Sequence, residues 1–224
     1  MTTIIDWPAN LVPKDVLIRA PRKTVGMTTS LTEISQVVPA IRPPFGLTMV
    51  FDALTGDEVL AWRALLGALE GRAGVVRVPL FDLWLAARGA DIGSGLTGHT
   101  DGSGFSDGAM YITTDLSGVT VTGVQGQRTI TADFGEYGQI IQPGQYFGLG
   151  DRPYLATGIS WTGTVATIRC TPTLRQDYTA QALRLRPVML ARLTDDDGGQ
   201  TMLERMRWMV PQIEFTEAFD ESLP

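Results

Sequence analysis

Histidine and cysteine are almost missing from this chain: among 224 residues, His99 and Cys170 are the only ones. A zinc centre takes three or four ligands, so a set built on one His and one distant Cys lacks its parts, and no metal or cofactor is expected. The lone Cys170 also excludes an internal disulfide and leaves the redox compartment unread. Charge is sparse as well, with charged residues at 19% and a formal net charge of −6. Lys and Arg form no run, so the basic stripe that a nucleic-acid groove requires is absent. An acidic wall repels passing DNA, which suits a conduit better than a binder. Apolar runs stop well short of the ~18 residues that a membrane helix needs, so no membrane anchor is expected. The opening Met1-Thr2-Thr3-Ile4-Ile5-Asp6 has neither a basic nor an apolar leader segment. The expectation is therefore a product made in the cytoplasm that stays soluble until it meets a partner.

What is present is enough apolar material for a core, at 44% hydrophobic residues. That share excludes a disordered chain, and the length fits one large domain or two small ones. Few surface charges leave room for partner-covered area. Short period-two runs dominate. Asp15-Val16-Leu17-Ile18-Arg19 and Leu47-Thr48-Met49-Val50-Phe51 read as strands, and 30–41 is read as strand too. One helix stands out. Thr55 occupies the expected N-cap with Glu58 three residues on, a capping box, and Asp57 favours the positive end of the dipole. Val59, Trp62, Leu66 and Leu69 then recur on one face with Leu65 beside them, until Gly71 stops the helix. A strand, Val75-Val76-Arg77-Val78, follows. Seven glycines among polar residues make 88–108 a loop or linker. Beyond it, strands are expected at Tyr111-Ile112-Thr113, Val119-Thr120-Val121, Thr129-Ile130-Thr131, Tyr146-Phe147-Gly148-Leu149, Tyr154-Leu155-Ala156 and from Val165 to Thr171. Their spacing suggests a small barrel or sandwich. Val188-Met189-Leu190-Ala191-Arg192 and Gln212-Ile213-Glu214-Phe215-Thr216 complete the set.

Several short motifs carry a chemical suggestion, and each has a plainer reading. Gly104-Phe105-Ser106-Asp107-Gly108 matches the nucleophile elbow of hydrolases, but that elbow needs a strand before it and a helix after it. Here it sits in a glycine loop, and His99 precedes Ser106 instead of following far downstream. Gly93-Ser94-Gly95-Leu96-Thr97-Gly98 matches the dinucleotide fingerprint without a strand before it or a helix to cradle phosphate. His99 with Asp101 offers at most two metal ligands. Asp195-Asp196-Asp197-Gly198-Gly199 resembles the start of a calcium loop, lacks its closing Glu, and reads as an acidic turn; calcium is the one metal left open. Trp7, Trp62, Trp84, Trp161 and Trp208 lie in apolar or strand contexts and are expected in core or interface packing. Cys170 shares an alternating face with Ile168 and Ala166, so it reads as buried and inert. With no candidate catalytic, cofactor-binding or metal-binding residue, no enzymatic activity is expected.

Two stretches are familiar. Trp7-Pro8-Ala9, Asp15-Val16-Leu17-Ile18, Phe45-Gly46-Leu47, Leu54-Thr55-Gly56, Leu65-Leu66-Gly67-Ala68-Leu69 and Gly71-Arg72-Ala73-Gly74 form the first. Gly144-Gln145-Tyr146-Phe147, Arg152-Pro153-Tyr154, Ala166-Thr167-Ile168, Thr171-Pro172-Thr173-Leu174-Arg175 and Leu190-Ala191-Arg192-Leu193-Thr194 form the second. Together they resemble the distal tail proteins of long-tailed bacteriophages and of proteobacterial prophages. The resemblance implies a virion structural protein of the tail tip or baseplate. It would form a six-membered ring (a homo-oligomer) joining the tail tube protein to the tail-tip hub protein, with the tape-measure protein or side fibres as further neighbours. It transfers no functional residue, because such proteins act through surfaces. The expected fold is mostly β (α+β): a ring-forming β-sandwich with one docked helix from 1–87 and 187–224, and a small β-barrel-like module with its Gly-rich linker inserted at 88–186. The rival expectation is a receptor- or carbohydrate-binding module of a tail tip. A third, a small envelope hydrolase, needs Ser106 to act.

Overall fold

The structure is a computed structural model, and it describes residues 4–21, 24–29, 35–40, 42–81, 96–97, 111–112, 115–204 and 207–219. The described chain is mostly β with one α-helix. Its elements are β1 (Ile4–Asp6), β2 (Asp15–Arg19), β3 (Thr24–Thr29), β4 (Ser35–Pro39), β5 (Gly46–Val50), β6 (Leu54–Thr55), α1 (Asp57–Leu69), β7 (Val75–Pro79), β8 (Leu96–Thr97), β9 (Tyr111–Ile112), β10 (Asp115–Gly123), β11 (Thr129–Asp133), β12 (Tyr146–Leu149), β13 (Arg152–Thr162), β14 (Val165–Thr171), β15 (Tyr178–Arg184), β16 (Val188–Leu193), β17 (Trp208–Met209) and β18 (Gln212–Glu217). They divide into two compact units, one formed by Met1–Val78 with Leu190–Pro224, the other by Pro79–Met189. The expected boundaries at 87/88 and 186/187 thus shift to the end of β7 and into β16. Both boundaries fall inside strands, at the last residue of β7 and two residues into β16, which loop composition does not mark.

The unit made from both chain ends is built on a six-stranded sheet in the order β1-β7-β16-β18-β5-β2. Opposed residues share a face, so the register Phe215↔Leu47 and Ile213↔Met49 lines up one apolar surface. All four side chains are buried. Each contributes about 1.5–3 kcal/mol, an upper bound. The helix closes this core. Val59, Trp62, Leu65 and Leu69 are its buried residues, at helical spacing. Leu66, expected among them, is only half-buried, because the helix turns Leu65 inward and lays Leu66 beside Gly199. Trp62 meets Phe51 edge-on at 4.9 Å, and its indole N–H donates to the Gly199 carbonyl at 3.0 Å. Trp7 continues the aromatic cluster, stacked on Phe51 and edge-on to Phe215.

The helix termini depart from expectation. Its N-cap is Gly56, at φ 52°, and not Thr55, which belongs to β6. Glu58 still reaches back to accept from the Thr55 N–H at 3.1 Å, half of a capping box displaced by one residue. At the other end the left-handed turn begins at Glu70 (φ 48°) and continues through Gly71 (φ 68°). The Gly74 N–H then donates to the Leu69 carbonyl at 2.7 Å. A Cβ on Gly74 would lie 2.5 Å from that carbonyl oxygen, so the close return into β7 requires glycine there.

The unit formed by Pro79–Met189 holds a second six-stranded sheet, β10-β15-β12-β13-β14-β11. Its first and last strands, β10 and β11, are consecutive in the chain and lie beside one another, so the sheet is a nearly closed barrel. Val121, Ile130, Phe147, Leu149, Tyr154, Ala156, Ala166, Ile168 and Cys170 fill it, all buried. β14 shows the period-two logic directly, with Ala166, Ile168 and Cys170 inward and Thr167 and Arg169 outward. The two ends of the unit meet: the Leu80 N–H donates to the Pro187 carbonyl at 3.1 Å. Within 88–108, expected as loop, Leu96–Thr97 form β8 and pair with β9; the other residues of that segment lie outside the described set.

Candidate assembly surface

Many of the residues that sequence motifs single out for chemistry fall outside the described set. Ser106 with its flanking glycines, His99, Asp101 and Trp84 lie outside the described residues. Of Gly93-Ser94-Gly95-Leu96-Thr97-Gly98 only Leu96 and Thr97 are described, and they are strand where a phosphate cradle would need a helix start. Asp196 is a structural acceptor: its Oδ1 takes the Arg72 N–H at 2.9 Å. The Arg192 guanidinium donates to the carbonyls of Arg72, Ala73 and Gly74. The Gly71–Ala73 turn is thus held at its start by a carboxylate and at its end by a cation, which suits the turn's dipole. Asp197 accepts from the Gln200 side-chain amide at 3.1 Å. Among the described residues no three His, Cys, Asp or Glu side chains converge as metal ligands.

Buried polar groups in the barrel serve packing. The Tyr154 hydroxyl is 2.9 Å from the Tyr178 hydroxyl and accepts the Arg175 N–H at 2.9 Å. Burial raises the Tyr154 pKa above its ordinary value. Burial likewise pushes the Cys170 thiol up to about 11, so it is protonated at neutral pH and is no nucleophile. On the surface, the Asp133 carboxyl sits below its usual range, held by the Thr164 hydroxyl and then by the Gly135 N–H. Trp161 packs half-buried against Phe134 at 5.3 Å, and Trp208 is half-buried in β17.

The feature with the clearest unmet physical demand is a hairpin that sequence reading only half anticipates. β3 and β4 form a two-stranded sheet that pairs with no third strand among the described residues. Strand was expected across 30–41, and Ser35–Pro39 is strand; β3 was not expected, and 30–34 and 41 lie outside the described set. In its register Met27 opposes Val37, and Gly26 opposes Val38. Met27 and Val37 therefore share one face and Val38 lies on the other. None is covered: their exposures are 66%, 52% and 47%. A two-stranded hairpin alone is marginal in water, and one that is apolar on both faces gains most from a partner. Nearby in sequence, β2 is the outermost strand of the first sheet, with Leu17 on it 58% exposed and Val12 just before it 60% exposed. At the opposite edge β1 is only three residues long and is tied by an Asp6–Arg77 ion pair, so it offers less to a new strand.

No protein-family model matches the sequence, and no curated protein is significantly similar to it. No helix among the described residues is long and apolar enough to cross a membrane.

Proposed function

We propose that the chain is a structural subunit of a phage tail tip. It assembles with copies of itself into a ring between tail tube and hub, and acts through surfaces, without catalysis. The observation that carries this reading is a pair of features of one unit: the uncovered apolar hairpin β3–β4, and the edge strand β2 that precedes it in the chain. A ring repeats one heterologous interface, so each subunit needs two different complementary patches. An uncovered hairpin and a strand edge are two such patches. The sequence resemblance to distal tail proteins supplies the setting, the virion tail, and the expectation of six subunits. Several of its short motifs have structural roles here, such as Gly71-Arg72-Ala73-Gly74 pinned by Asp196 and Arg192. Such roles agree with a scaffold.

Mass measurement decides the matter, on the full chain and on a form with 81–186 replaced by a short Gly-Ser linker. Leu80 and Pro187 already touch, so a short linker spans the gap, and loop closure depends only weakly on length. Both forms should assemble to the same number of subunits, alone or with tail tube protein added. If both stay monomeric at high concentration with tube protein present, the ring reading fails. If only the shortened form is monomeric, the ring survives and its interface belongs to the barrel unit.

A further inference from the structure

We draw no further inference here: the strongest candidate, the two-faced apolar hairpin β3–β4 of the unit made from both chain ends, belongs to the surface already described, and nothing in the structure shows what covers it.

Discussion

In the unit formed by Pro79–Met189 the first and last strands of the sheet meet, whereas in the unit formed by both chain ends β2 stands at an edge and β3–β4 pair with no third strand among the described residues. Near closure sets β10 and β11 side by side without pairing them, which leaves less accessible edge than an open sheet does. Among its described strands, the barrel therefore offers less to a strand-adding partner than the open sheet does. The open sheet relies on one helix to cover its apolar face and keeps an edge and a hairpin available. The contrast separates a self-contained module from a unit whose exposed apolar residues call for company.

The sharpest way to break this contrast is to remove the helix's anchor. Trp62→Ala deletes a fully buried side chain that contacts Phe51 and holds the Gly199 carbonyl. It should cost about 3–5 kcal/mol. Hydrogen exchange in denaturant should show early loss of protection in β5 and β18 and unchanged protection in β14. Simultaneous loss in all three would mean that the units unfold as one, and the contrast fails.

A second test acts on the barrel through Cys170. Its thiol, buried at 2% exposure, has a folded pKa raised from 9.0 to about 11. Above 9.0 the unfolded chain loses this proton while the folded one keeps it, so stability present at lower pH declines as pH rises toward about 11. The decline amounts to about 2–3 kcal/mol. Cys170→Ala should flatten that part of the stability-versus-pH curve in the barrel's transition and leave the other unit's curve unchanged. An identical slope in the variant would mean that the thiol titrates as freely as in the unfolded chain. Tyr154 is raised mainly by burial and in smaller part by Cys170 itself, so the variant keeps most, not all, of the alkaline contribution of Tyr154.

Legibility in the sequence followed the same division. Strands whose apolar residues alternate were readable: β2 and β14 fall where expected, and β5 and β18 differ by a residue. β15 was missed, for two physical reasons. Its Ala, Gln, Leu and Arg are good helix formers, and its alternation breaks where Ala180 takes φ 46° beside a register shift with β10. The helix was readable from its periodic face, but its cap was not, because Gly56 gives no side-chain signal. The hairpin was half readable. Met27 and Val37 meet through register, which a single strand's pattern does not contain. No motif marks an uncovered surface, so the candidate site had to come from exposure and pairing.

A smaller effect is expected where the two chain ends are pinned together. Asp196→Ala removes the acceptor for the Arg72 N–H, a loss like that of a helix cap, about 1 kcal/mol. Asp196→Asn should recover most of it, since an amide oxygen can still accept. Denaturant midpoints of the first unit measure both. If Asn is as damaging as Ala, charge and not the hydrogen bond holds the turn.

The smallest effect on folding should accompany the largest effect on assembly, and that pairing tests the contrast where it matters. Met27→Gln with Val37→Thr keeps size and strand compatibility while making one face of β3–β4 polar. Both side chains are more than half exposed, at 66% and 52%. Folding stability should therefore move by less than about 0.5 kcal/mol, as for ordinary surface substitutions. Assembly is different, because each apolar side chain buried at an interface contributes about 1.5–3 kcal/mol. Losing two should weaken each contact by at least about tenfold, and a ring repeats that loss at every interface. Thermal unfolding of dilute protein together with mass measurement across a concentration series separates the outcomes. Unchanged unfolding with assembly shifted to higher concentration places this face of the hairpin in the interface. Unchanged assembly moves the contact elsewhere on the unit, to β2 or to Val38 on the opposite face. A folding loss above about 1 kcal/mol would mean that the monomer already uses Met27 and Val37 as core, and the hairpin would cease to be the surface that distinguishes the two units.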